Sequence, residues 1–133
     1  MISYLDTSAA MKLLVQEAES DAMEAYVRSP GEGAAERLLV SSWSLHTELH
    51  CAANRHPDAI DVQAVGVVLD TASLIDITRG DLLTAAALPG QLRSHDAVHL
   101  AVALRVGSDE ILTYDADLAL AATAAGLVVT QPR

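Results

Sequence analysis

The feature that most constrains the fold of this chain is a regular alternation of short apolar runs with segments of helical spacing. Apolar runs typical of buried strands occupy residues 2–5, 38–41, 74–78, 111–114 and 127–130. The segments between them predict helices over residues 7–15, 18–27, 44–55, 58–72, 80–88, 94–106 and 116–125. Strands that alternate with helices indicate a parallel sheet covered by helices on both faces. We therefore expect an α/β fold with three layers (α/β/α) and a mainly parallel central sheet of about four to five strands.

The length of 133 residues is typical of one domain. The clearest interruption is the turn-forming stretch at residues 29–33, with one proline and two glycines, and no repeat or linker divides the chain. We therefore expect a single domain over residues 1–133. No apolar run approaches the roughly 20 residues that span a bilayer, and no basic segment followed by an apolar stretch opens the chain. These observations predict a soluble protein of the cytoplasm with no membrane partner.

The single cysteine, Cys51, lies in a predicted helix beside Leu49 and Ala52, which suggests a place near the core. One cysteine cannot form an internal disulfide, and this fits a reducing cytoplasm. Nothing around it indicates an activated nucleophile.

The net charge is −10, from 18 acidic and 8 basic side chains. Sequence-independent binding of nucleic acid usually requires a basic surface, so this balance argues against it. A role on nucleic acid would have to depend on metal ions, on a few well-placed arginines or on a partner. An acidic surface also suits a basic peptide partner.

Two aspartates directly follow predicted strands. Asp6 comes after Ile-Ser-Tyr-Leu, and Asp115 comes after Ile-Leu-Thr-Tyr. Ligands of open parallel α/β sheets bind outside the carboxyl ends of the strands, where both aspartates would lie. Taken alone, each aspartate is better explained as the cap of the helix that follows it.

Two further carboxylates share helix faces with apolar residues. Glu48 lies within or beside the stripe Leu45, Leu49 and Ala52, and Asp96 shares its face with Leu100, Ala103 and Leu104. A charge directed toward a core is costly unless it is paired. Two simpler possibilities stay open: Glu48 reaches solvent at an edge, or Asp96 only meets the positive end of its helix dipole.

Convergence of the four carboxylates would require cations to neutralise them. Lys12 and Arg93 are the candidates, but two cations do not balance four anions. Carboxylate oxygens with several retained waters are the ligands that Mg²⁺ and Mn²⁺ prefer. Such a site can activate water against a phosphodiester and stabilise the leaving oxygen, and the bound cations would attract phosphate without a basic surface.

At these residues the chain resembles the PIN-domain ribonucleases, specifically the VapC toxins of bacterial VapBC toxin–antitoxin pairs. The segments ISYLDTSAAMKLL, LLVSSWSLHTELHCA, HDAVHLAVAL and LTYDADLALAATAAG carry the resemblance, in this order from residue 1 to 130. It implies a metal-dependent endoribonuclease in which Asp6, Glu48, Asp96 and Asp115 are the catalytic acids and the ligands of Mg²⁺ or Mn²⁺.

The resemblance also assigns supporting residues and partners. Ser8 and Thr113 would support the site, and Asp117 would share the role of Asp115 or replace it. Apart from the resemblance, the position of Arg93 beside the start of the helix that carries Asp96 makes it the first candidate for a contact with RNA phosphate, and Lys12 is a second candidate. The implied partners are structured RNA, a cognate VapB-type antitoxin whose C-terminal segment blocks the site, and a second copy of the chain in a homodimer.

Three alternative functions are compatible with some of the same residues. The first is a zinc site, because two histidine pairs have a suitable spacing, His46/His50 and His95/His99. A simpler role for His95 or His99 is hydrogen bonding near Asp96. A haloacid dehalogenase-like phosphohydrolase would use the aspartate after the first strand as nucleophile, but Ser8 occupies the place of its second aspartate. A PIN-like module that binds without catalysis is the third alternative.

Overall fold

The computed structural model describes residues 1–31, 33 and 36–133. Within them, five strands are formed: β1 (Ile2–Leu5), β2 (Leu38–Ser42), β3 (Ser73–Ile75), β4 (Glu110–Leu112) and β5 (Val128–Thr130). The helices are α1 (Thr7–Leu14), α2 (Ser20–Arg28), α3 (Trp43–Arg55), α4 (Val62–Asp70), α5 (Arg79–Ala87), α6 (Ser94–Arg105) and α7 (Ala116–Ala124). Residue 32 of the turn predicted over residues 29–33 lies outside the described residues.

All neighbouring strands pair in parallel, in the order β3-β2-β1-β4-β5. From β1 the chain builds the sheet first through β2 and β3 on one side and then through β4 and β5 on the other. The strand order therefore reverses beside β1, and the crevice outside the carboxyl ends of β1 and β4 is the place where such sheets bind ligands.

Two apolar layers separate the sheet from its helices. Because side chains of a strand alternate between faces, Leu5 packs with α1, α3 and α4 on one side, whereas Tyr4 packs with α6 and α7 on the other. Leu39 and Leu112 join Leu5, and Val40 joins Tyr4. The predicted three-layer α/β/α fold with a parallel sheet is confirmed.

Several element boundaries differ from the sequence prediction for identifiable reasons. The strand expected over residues 74–78 ends at Ile75, because Thr78 is the N-cap of α5 and forms a reciprocal capping box with Asp81. The helix expected over residues 58–72 begins only at Val62, where the Asp61 side chain accepts a hydrogen bond from the Gln63 amide. The other ends shift by two residues or fewer.

The expected place of Cys51 near the core is wrong. Its side chain is exposed, because the 3.6-residue turn of α3 directs it away from the side that buries Leu45, Leu49 and Ala52. In the part of the chain that the structure describes, no helix has both the length and the apolar character that a membrane crossing requires.

Candidate active site

Asp6 directly follows β1 at the carboxyl edge of the sheet, beside the end of β4. Its backbone amide donates to the Leu112 carbonyl at 3.1 Å, so the residue is fixed against the end of β4. The residue is 1% exposed, and Oδ2 accepts hydrogen bonds from the Ser8 amide (3.2 Å), Ser8 Oγ (2.7 Å) and Thr113 Oγ1 (2.8 Å). Oδ1 is equally buried and has no hydrogen-bond partner among the described residues. Asp6 therefore caps α1 with one oxygen and keeps the other free for a ligand.

Ser8 and Thr113 hold this carboxylate in place. Each hydroxyl donates to Asp6 and accepts a backbone amide of the turn after β4, Ser8 from Tyr114 (2.9 Å) and Thr113 from Asp115 (3.1 Å). The hydroxyl oxygens themselves are 3.2 Å apart. The two residues thus tie the end of β1 to the turn that carries Asp115.

Asp96 lies in the first turn of α6 and is 4% exposed. Its Oδ2 is 3.2 Å from Arg93 Nε, and its Oδ1 is 3.6 Å from His95 Nε2. Burial, followed by the negative charge of Asp6, raises the pKa of Asp96 even though His95 and Arg93 oppose the shift. The direction of the shift indicates that Asp96 and Asp6 share one region of negative potential.

Asp115 begins α7 and is joined to Asp96 through an arginine. Its Oδ1 caps the helix by accepting the Leu118 amide at 2.8 Å, and its Oδ2 is 3.4 Å from Arg93 Nη2. Asp117, the alternative candidate for this role, is exposed in the first turn of α7. The geometry therefore favours Asp115 over Asp117.

Glu48 has hydrogen-bond partners for both of its carboxylate oxygens. Oε1 accepts from Ser44 Oγ (2.6 Å) and His99 Nε2 (2.8 Å), and Oε2 accepts from Thr7 Oγ1 (2.5 Å). Burial opposes ionisation, but the hydrogen bond and charge of His99, with Ser44 and Thr7, outweigh it and lower the pKa of Glu48 to about 2. Glu48 is therefore a carboxylate held on three sides by protein donors.

His99 is the fully buried partner of Glu48. Its Nδ1 lies 2.7 Å from the Tyr4 hydroxyl, which is also fully buried. Burial alone would lower the pKa of His99, but the hydrogen bond to Glu48 and the charges of Asp6, Glu48 and Asp96 raise it. The sequence suggested His99 near Asp96 but did not reveal its hydrogen bond with Tyr4, or the hydrogen bonds that Thr7 and Ser44 donate to Glu48. The spacing of Ser44 and Glu48, four residues apart on one helix, was an available signal for one of them.

The remaining sequence candidates lie outside this cluster or are engaged elsewhere. The Lys12 ammonium is paired with Glu17 (2.6 Å) and Glu19 (2.8 Å). The rings of His46 and His50 stack at 4.3 Å, and His50 Nδ1 lies 2.7 Å from the His46 carbonyl of its own helix. Among the residues that the structure describes, neither histidine pair is brought together with the further ligands that a zinc site requires.

The residues present fit a hard divalent cation. Among residues 1–31, 33 and 36–133, no three His, Cys, Asp or Glu side chains are already gathered as a metal cage. Mg²⁺ does not need one, because it usually keeps several waters and binds through one or two carboxylates. Oδ1 of Asp6, buried and without a partner among the described residues, would supply with Asp96 and Asp115 the oxygen donors that such an ion prefers.

Comparison with known proteins identifies the family. The sequence pattern of a family described as the PIN domain matches residues 3–124. The chain belongs to the PIN domain family. This PIN domain is 35% identical over 139 residues to a protein named Ribonuclease VapC46 from Mycobacterium tuberculosis, in an alignment that covers 97% of this chain and 96% of that protein. The family assignment excludes the haloacid dehalogenase alternative.

Two solved structures share the fold of this PIN domain. The first, VapC20 from Mycobacterium tuberculosis, is described as a sarcin-ricin loop cleaving toxin; it has a TM-score of 0.72 and 18% identity, and the match covers 98% of this chain and 99% of its own. The second, a toxin-antitoxin complex from Klebsiella pneumoniae, has a TM-score of 0.70 and 21% identity, and the match covers 98% of both chains.

Proposed function

We propose that this PIN domain is the toxin of a type II toxin–antitoxin system and hydrolyses RNA phosphodiester bonds with Mg²⁺ or Mn²⁺ at Asp6. The observation that carries the proposal is the buried Oδ1 of Asp6, which has no hydrogen-bond partner among the described residues and whose carboxylate acts electrostatically on Asp96 together with that of Asp115. The relative at 35% identity, whose name includes ribonuclease, supports RNA as the substrate class.

A bound Mg²⁺ or Mn²⁺ would supply a Lewis acid that activates water and stabilises the leaving oxygen. Asp6 would present Oδ1 as a ligand, held rigidly by the donors from Ser8 and Thr113 to its other oxygen. Asp96 and Asp115 would contribute the remaining protein oxygens. Glu48 would act through a water, because Thr7, Ser44 and His99 already occupy its carboxylate.

Charged side chains suggest how this PIN domain would bind its substrate and a partner. Arg93, whose side chain is 69% exposed, is the proposed contact for RNA phosphate, since a guanidinium can bind phosphate through two parallel hydrogen bonds. Lys12 is a weaker candidate because two glutamates hold it. The net charge of −10 suits a VapB-type antitoxin whose C-terminal segment is basic. We further propose a homodimer that acts in the cytoplasm.

The test is cleavage of structured RNAs, including a sarcin-ricin loop, by the purified protein. Cleavage is expected with Mn²⁺ or Mg²⁺, and its loss is expected with EDTA, in Asp6→Asn and in Asp96→Asn. Asp61→Asn is the matched control, because Asp61 is an exposed helix cap and should keep full activity. Cleavage that survives both site variants would refute the proposed site. A folded protein that binds RNA but never cleaves it would support the binding-module alternative.

A further inference from the structure

Arg93 makes two ion pairs with the proposed metal-binding acids. Its Nε is 3.2 Å from Asp96 Oδ2, and its Nη2 is 3.4 Å from Asp115 Oδ2. The residue is the N-cap of α6, and its guanidinium extends from this position between the starts of α6 and α7. The charge of Asp96, with those of Asp115 and Asp6, raises the pKa of Arg93, which places the guanidinium in the field of all three acids.

The position of this guanidinium conflicts with that of a divalent cation. Oxygens of Asp96 and Asp115 that bind Arg93 have fewer lone pairs free for a metal ion, and a guanidinium beside a divalent cation is repelled by it. Arg93 offers five N–H donors and no acceptor, so it cannot become a ligand of the ion. Arg93 and the metal therefore compete for the same carboxylates.

The two ion pairs of Arg93 are also weak. Its side chain is 69% exposed, its bonds of 3.2 and 3.4 Å are long for charge-assisted hydrogen bonds, and each goes to a different carboxylate rather than forming a bidentate pair. Exposed ion pairs of this kind contribute little to stability. Displacement from the two acids therefore carries a small energetic cost.

We propose that Arg93 is a displaceable internal cation that couples metal binding to RNA binding. Without metal it bridges Asp96 and Asp115; when the metal binds, Arg93 is released from them and becomes available to an RNA phosphate. This inference rests on the proposed function, since it takes a divalent cation and RNA as the two ligands. Coupling of this kind is reciprocal: release of Arg93 by metal favours RNA, and capture of Arg93 by RNA favours metal.

The first test is Mn²⁺ affinity without RNA, measured by electron paramagnetic resonance of free Mn²⁺. Arg93→Ala is expected to bind Mn²⁺ roughly two- to fivefold more tightly than the wild type, because the competing exposed ion pairs are gone. The control is Arg28→Ala, which removes the same charge from an exposed ion pair with Glu24 on α2 and should leave the affinity unchanged. Arg93→Lys should lie between the wild type and Arg93→Ala.

The outcomes separate this inference from the proposed function. Equal or weaker Mn²⁺ binding by Arg93→Ala, or equal tightening by Arg28→Ala, would overturn the role of Arg93 while leaving the metal site intact. Absence of Mn²⁺ binding in both the wild type and Arg93→Ala would overturn the metal site as well. Binding that appears only in Arg93→Ala would support the inference in its strongest form.

The second test addresses RNA. Stopped-flow fluorescence anisotropy measures RNA binding before cleavage proceeds, in EDTA and in saturating Mn²⁺. Arg93→Ala should weaken RNA binding several-fold in Mn²⁺ and little in EDTA, where Asp96 and Asp115 hold the wild-type guanidinium. An equal loss under both conditions would show that Arg93 is a permanent phosphate contact and would overturn the coupling.

Discussion

Asp6→Asn should stabilise the metal-free protein while abolishing its response to metal. The asparagine carbonyl oxygen can replace Oδ2 and accept from Ser8 and Thr113 as before, and asparagine caps helices as well as aspartate does. The amide nitrogen then takes the place of Oδ1, which has no hydrogen-bond partner among the described residues. The substitution also removes one of the negative charges that act on Asp96.

The expected magnitude follows from the negative charge that the substitution removes. The new amide nitrogen meets the same surroundings without a partner, so the gain comes from the lost charge: removing one of two repelling carboxylates should raise the free energy of unfolding by about 1 kcal/mol. Gains of this kind at the expense of activity are common where a site is built from strained or repelling groups. Urea unfolding in EDTA measures the difference directly.

Asp81→Asn is a matched comparison, in which the free energy of unfolding should change in the opposite direction. Asp81 is 2% exposed, as buried as Asp6, but it accepts from Arg105 at 2.7 and 3.0 Å and from the Thr78 amide at 2.9 Å. Its substitution should therefore lower the free energy of unfolding. Addition of Mn²⁺ should stabilise the wild type and Asp81→Asn but not Asp6→Asn. A destabilised Asp6→Asn in EDTA, or one that Mn²⁺ stabilises as much as the wild type, would refute this reasoning.

Three other predictions concern the polar networks. Because folding lowers the pKa of Glu48 from 4.5 to about 2, the ionised carboxylate stabilises the fold at pH values above 4.5. This contribution is lost as the pH falls from 4.5 toward about 2. The stability advantage over Glu48→Gln, at most about 3 kcal/mol, should therefore shrink across that interval in urea titrations, and a constant difference would contradict it. His99→Phe should cost about 2 kcal/mol and be non-additive with Tyr4→Phe, because one hydrogen bond joins the two residues; additive unfolding energies would disprove the link. Arg37→Met should cost about 3 kcal/mol, since it leaves the buried Glu110 carboxylate without its cation, and a loss below about 1 kcal/mol in urea unfolding would count against a buried ion pair.

The layered fold was predictable because it depends on local periodicity. The alternation of Leu39 and Val40 between opposite faces and the apolar stripe of α3 are properties of consecutive residues. The end of β3 was not predictable in the same way. Ile77 and Thr78 are residue types that favour strands, but Thr78 instead forms a capping box with Asp81 and begins α5.

The acids of the site were predictable from the sequence, but their hydrogen-bond partners were not. Asp6 and Asp115 could be placed at one sheet edge because parallel strands end together, yet capping and ligand binding appeared as alternatives. In the structure the two oxygens of Asp6 divide these roles, since Oδ2 caps the helix and Oδ1 stays without a partner among the described residues. The attachment of Glu48 to Thr7 and His99 joins three helices, and sequence spacing specifies a face of each helix without specifying which residue of another helix meets it.

The most direct test of the metal site is anomalous X-ray scattering from crystals grown with Mn²⁺. The predicted result is a manganese peak about 2.1 Å from Asp6 Oδ1, with Asp96 and Asp115 nearby and the Arg93 guanidinium moved away from both. A crystal that holds manganese only at His46 and His50, or that leaves Asp6 Oδ1 without an ion at saturating Mn²⁺, would contradict it.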